Sequence, residues 1–178
     1  MRYAALLRGV NLGGNKMVAM ADLRVALAKL GFTDVSTLLQ SGNAVFTAPK
    51  TKPATLEALI EKDFEKRFKM QVDIHVRDGA ELSSAIDVNP MRQEADAAPS
   101  AFLVTFYREP LDLALVNALQ GAIAGPEKVR AVGRHLYMTF PEGIGNSKAA
   151  LLIDKTLRAK GTARNWNTVR KIAALVCG

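Results

Sequence analysis

Residues 3–10 (YAALLRGV) form an almost continuous apolar run, as a strand buried on both faces requires. A glycine-rich stretch, Asn11 to Lys16, follows it. Leu23, Leu27 and Leu30 then recur at helical spacing, and Gly31 supplies a stop. Val35–Leu39 predicts a second strand, Ser41-Gly42-Asn43 a turn, and Ala44–Thr47 a third strand. Beyond Pro49 and Pro53, Leu56, Leu59, Ile60, Phe64 and Phe68 share one face of a long helix, and Val72–Val76 reads as a fourth strand. The order β-α-β-β-α-β is that of a ferredoxin-like plait.

The same order then starts again. Residues 79–99 read as a connector with a short helix near 81–86 and a polar run at 92–99. Phe102–Tyr107 predicts a strand and Asp112–Ala124 a helix. Val129–Val132 and Leu136–Phe140 form a hairpin about Gly133-Arg134-His135. Ser147–Lys160 predicts a second helix and Thr162–Arg164 a short last strand. Val169, Ile172, Ala173 and Val176 then mark a final helix at i, i+3, i+4, i+7. The reading is α+β: two tandem ferredoxin-like (α/β-plait) subdomains at 1–78 and 100–178, joined by 79–99, with an extra C-terminal helix. The repeat is one of element order, without evident residue similarity between the halves.

Composition adds limits. With 178 residues, 49% of them hydrophobic, the chain is long and apolar enough to bury a core without staples. The lone Cys177 excludes an internal disulfide and a cysteine-based zinc site, and fits a reducing cytoplasm. No apolar stretch approaches membrane-spanning length, and the first residues do not make a signal peptide. His75 and His135 stand alone, with no metal-ligand spacing or nucleophile beside them, so no metal and no cofactor is expected. Phe102–Tyr107 lacks the glycine-aromatic pattern of an RNA-binding plait, and alternating core packing accounts for it. The net charge of +7 is unevenly placed: residues 1–127 carry 14 basic and 15 acidic residues, but 128–178 carry 10 basic against Glu142 and Asp154. A cationic last third suggests an anionic partner.

Four blocks hold glycines and polar residues that core packing does not require. Arg8, Asn11, Gly13, Gly14 and Lys16 lie in a strand-to-helix loop whose glycines can turn backbone N–H groups toward an anion. A wide β-to-α turn explains them equally, and the spacing fits no dinucleotide fingerprint. Gln40, Ser41 and Asn43 make a hairpin connection that the plait topology brings to the same end of the sheet. Ser41 has no nucleophile frame around it. Asn146, Ser147 and Lys148 lack phosphate-loop spacing, and Asn146 or Ser147 could cap the next helix. Arg164, Asn165, Trp166, Asn167, Arg170 and Lys171 surround the start of the last helix. Cations at two helix starts oppose the helix dipole, as a bound anion would explain; a solvated basic face with Trp166 in the core is the alternative. The second pair of blocks also shares one end of its sheet.

These blocks, LLRGVNLGGN, LQSGNAVF, PEGIGNSK and TARNWNTVRKI, resemble the bacterial family called domain of unknown function 1697, without clear departure and nearly end to end. The resemblance implies a small cytoplasmic protein with two α/β-plait subdomains and implies no activity. On the residues, the leading expectation is an anionic ligand, either a phosphate-bearing small molecule or nucleic acid. Trp166 would stack on a ring, and the polar side chains would direct hydrogen bonds. An enzyme acting on a small phosphorylated or carboxylated substrate is one alternative. A structural or protein-interaction module is the other.

Overall fold

The computed structural model describes residues 1–13, 16–40 and 42–178. Two compact units are formed, one from 1–83 with 171–178 and one from 84–170. The span 79–99, read from sequence as a connector, is thus divided at Ser83/Ser84.

In the first unit β1 (Arg2–Leu7) is central, with β3 (Asn43–Thr47) and β4 (Ile74–Asp78) antiparallel on either side and β2 (Thr33–Thr37) outside β3. The helices are α1 (Met20–Lys29) and α2 (Pro53–Phe68). The order β2-β3-β1-β4 is the ferredoxin-like one. Tyr3, Ala5, Leu7, Ala44, Phe46, Ile74 and Val76 form a core with Leu23, Leu27, Leu56, Ile60 and Phe64 of the helices. Successive strand residues point to opposite faces. Ala4, Leu6, Asn43, Val45, His75 and Arg77, the alternate set, are also buried. Burial on both faces is why β1 reads as a continuous apolar run. The fourth strand lies two residues later than its apolar run predicts. Asp78 ends it by capping α3 (Gly79–Asp87): Glu81 N donates to Asp78 Oδ1 at 2.9 Å.

In the second unit the order is β6-β7-β5-β8, with β5 (Phe102–Phe106), β6 (Val129–Val132), β7 (His135–Thr139) and β8 (Thr162–Asn165). It also holds α4 (Arg92–Ala97), in place of the polar connector read from sequence, and α5 (Leu113–Ala122). Asp112 Oδ1 accepts from Ala114 N at 2.8 Å and so starts α5. The helix predicted over 147–160 is largely absent. Ile144–Asn146 and Ala149–Leu152 are 3-10 turns, and only Ile153–Leu157 (α6) is α-helical. The cause is local: Ser147 is extended, and its hydroxyl donates to the Glu127 carboxylate while accepting from Ala149 N. A side chain held this way draws the backbone out of helical register. The final helix, α7 (Trp166–Cys177), follows β8 directly.

The two fourth strands share a feature hidden in the sequence. Arg77 pairs with Ala4 of β1, and Arg164 occupies the corresponding register opposite Val104 of β5. Each guanidinium donates from Nη1 to the preceding carbonyl, Val76 O and Ala163 O, at 2.7 Å.

Candidate functional site

The first two blocks meet. The β1-to-α1 loop has left-handed backbone at Gly9 (φ 68°), Asn11 (φ 57°) and Gly13 (φ 79°). Asn11 holds it in shape: Nδ2 donates to Val18 O and Gln40 O, both at 2.8 Å, and Oδ1 accepts from Val18 N at 2.8 Å. Its carboxamide therefore braces the two loops instead of offering donors to a ligand, as the sequence had suggested. Gly42 is required beneath them, since a Cβ there would lie 2.9 Å from Leu7 Cβ at φ 73°. Leu7 N donates to Gly42 O at 2.9 Å. Asn43 is a core residue, with Nδ2 donating to Leu38 O at 2.9 Å. Gln40 is exposed, and Gly14 and Ser41 lie outside the described residues.

Two cations flank this loop and reach residues 71–73, Lys16 at a backbone carbonyl and Arg8 at a carboxylate. Half-exposed Arg8 donates from its backbone N to Asp73 O at 2.9 Å, and its Nη1 lies 3.9 Å from Asp73 Oδ2. Exposed Lys16 donates from Nζ to Gln71 O at 2.6 Å.

The third block does not stand at a helix start. Lys148 is exposed ahead of a four-residue 3-10 turn, so the dipole argument made for it from sequence lapses. Asn146 Nδ2 donates to Glu142 O at 3.1 Å. Ser147 is engaged with Glu127, a nearly buried carboxylate that sequence reasoning missed because it lies 20 residues away.

The fourth block does start a helix. Asn165 Oδ1 accepts from Thr168 N at 2.9 Å, a conventional cap. Trp166 is fully buried, edge-on to Phe102 with ring centroids 5.9 Å apart, so it presents no face for stacking a ligand. Its Nε1 donates to Asp96 Oδ1 at 3.0 Å, and Asp96 Oδ2 accepts from Arg92 Nε at 2.9 Å. Arg164 is buried, bonded through Nη1 to Thr162 Oγ1 at 2.8 Å, and burial pushes its guanidinium down to about 10. It belongs to the strand's packing, and its removal would report on folding before binding. Asn167, Arg170 and Lys171 are exposed.

Asp96 changes the charge argument. The Trp166 hydrogen bond, the Arg92 hydrogen bond and the charges of Arg92 and Arg170 hold its carboxyl below the ordinary 3.8. Asp96 thus places a negative charge of the chain's own near the start of α7, bonded to Arg92 and Trp166. A group depressed in this way contributes stability above its unfolded value and loses it as pH falls through the folded one. Asp96→Asn should therefore flatten the acid limb of the melting temperature below about pH 4, where the native protein keeps falling. An unchanged limb counts against the contact.

The third and fourth blocks emerge at the same end of their sheet, on either side of the segment leading into β5. Phe140 N donates to Ala101 O at 2.7 Å and Trp166 N to Pro99 O at 3.1 Å. Among the described residues no three His, Cys, Asp or Glu side chains gather to hold a metal, and no helix is long and apolar enough to cross a membrane.

No curated protein sequence matches the chain significantly. The conserved bacterial protein SP0830 from Streptococcus pneumoniae has a similar solved structure, with a TM-score of 0.75, 27% sequence identity and 98% of each chain covered. The family model described as protein of unknown function (DUF1697) matches residues 1–137, which carry the first two blocks and both central strands. The chain belongs to the DUF1697 family.

Proposed function

We propose that the chain binds a phosphate-bearing small molecule at the glycine loop of the first unit, with Arg8 and Lys16 as its cations. The observation that carries the reading is the gathering of these two side chains about residues 71–73, Lys16 on the Gln71 carbonyl and Arg8 near the Asp73 carboxylate from which a phosphate must draw it, beside a loop with left-handed backbone at 9, 11 and 13. Alternation of backbone sign turns nearby N–H groups to one side, the arrangement that receives anions elsewhere. The Asn11 brace keeps that shape before any ligand arrives, which lowers the ordering cost of binding. Two cations favour a compact phosphate over nucleic acid, which needs charge spread along a backbone. A small cytoplasmic protein fits this reading, with Cys177 as its single thiol.

Calorimetric titration with inorganic pyrophosphate tests it. Binding should weaken roughly tenfold or more in Arg8→Gln and again in Lys16→Gln, as charge-assisted hydrogen bonds imply. Lys148→Gln should leave it unchanged. Absence of saturable binding, or equal affinity in all variants, refutes the site. Binding to a single-stranded oligonucleotide with a steep salt dependence would instead favour nucleic acid.

A further inference from the structure

The second unit holds an apolar groove that meets the four sequence blocks only at Pro141. Its volume is about 240 Å³. It is lined by Ala98, Pro126 and Pro141, together with Phe102 and Phe140, whose rings are almost wholly covered. One oppositely charged pair stands among the lining residues: Lys128 Nζ is 3.5 Å from Glu94 Oε1, joining α4 to the start of β6. Both side chains are partly exposed, at 61% and 37%. A pair this exposed adds little to stability, so exchanging its partners for those of a ligand costs the fold little. Thr139 also lines the groove; its Oγ1 accepts from Lys128 N at 2.9 Å, and among the described residues its hydroxyl proton has no acceptor.

We infer that this groove binds an apolar α-amino acid, with the side chain against Ala98, Pro126 and Pro141, the carboxylate on Lys128 and the ammonium on Glu94. The charge pattern selects the ligand class. A simple carboxylate would take Lys128 from Glu94 and leave that acid uncompensated, and a simple amine would do the reverse. A zwitterion replaces one ion pair by two, and the Thr139 hydroxyl can donate to its carboxylate. The volume sets the size, since it falls below the roughly 300–1,000 Å³ of sites for drug-sized ligands. Alanine and proline walls leave space for a branched or aromatic side chain but no partner for a polar one. The site is independent of the glycine loop and stands or falls separately from it.

The test is calorimetric titration of the full chain with L-leucine, L-glutamate, 4-methylpentanoate and isopentylamine. L-Leucine should bind saturably, and the other three at least tenfold more weakly. Glu94→Gln and Lys128→Gln should each weaken leucine binding about tenfold, the loss of one charge-assisted contact. Ala98→Leu, at an exposed position on the wall, should block binding with the far-ultraviolet circular dichroism unchanged. No saturable binding below about 10 mM overturns the inference. So does 4-methylpentanoate or L-glutamate binding as well as leucine, or leucine affinity that ignores all three substitutions.

Discussion

Trp166→Ala should destabilise the protein by about 3–5 kcal/mol, a large share of the roughly 5–15 kcal/mol that holds a domain folded. The ring is fully buried, contacts Phe102 edge-on, has the Arg92 guanidinium 5.5 Å from its centroid and donates to Asp96. Alanine leaves a cavity and strips Asp96 of one donor at once. Trp166→Phe separates the two effects, because it keeps most of the apolar volume and loses only the N–H. Its cost should be smaller, nearer the net worth of one hydrogen bond to a charged group, about 1.5–3 kcal/mol. Urea unfolding followed by circular dichroism is the measurement, since the substitution removes the only tryptophan signal. A cost for Trp166→Ala below about 1 kcal/mol would return the ring to the surface, where a stacking role is open again.

The second large effect lies in the first unit. Glu57→Gln should cost about 3–5 kcal/mol, because it removes one charge of a buried pair and leaves the other. Glu57 Oε1 accepts from Val76 N at 2.8 Å and lies 3.5 Å from Arg77 Nη1, and Arg77 is completely buried. Replacing both partners, as Glu57→Leu with Arg77→Met, should recover only part of the loss, because the desolvation of both charges is relieved together but the Val76 N–H loses its acceptor. Chemical denaturation of the single and double variants gives the coupling directly. If the single substitution is nearly neutral, the pair is hydrated in solution and the buried reading fails.

Strand order was legible because burial writes itself into composition: β1 is apolar from Tyr3 to Leu7, and helices α1 and α2 carry their core residues at 3.6-residue spacing. The misread segment, 147–160, fails for a nonlocal reason. Its apolar residues suit a helix, but the Ser147 contact to Glu127 decides the backbone, and no local pattern announces it. The candidate site divides the same way. Sequence located the loops and their meeting, since topology follows from element order. It could not tell a cation facing a ligand from one facing a carboxylate of the chain. Asp96 lies 70 residues before Trp166, and the polar run around it gave no sign that it binds Arg92 and the indole N–H. Nor could it see the groove between Glu94 and Lys128, whose walls are alanines and prolines with no motif of their own.

The division of the chain into units bears on the order in which they can close during synthesis. Residues 84–170 form one unit without interruption, whereas 1–83 are completed by 171–178. The join is intimate: Cys177 Sγ lies 3.5 Å from Gly79 O and 3.4 Å from Ser83 Oγ, and a Cβ on Gly79 would come within 3.2 Å of that sulfur. A ribosome adding about 5–20 residues per second spends on the order of 4–17 s on the intervening stretch. Throughout that interval the N-terminal unit waits for residues 171–178. The unit made second is the first that can be finished.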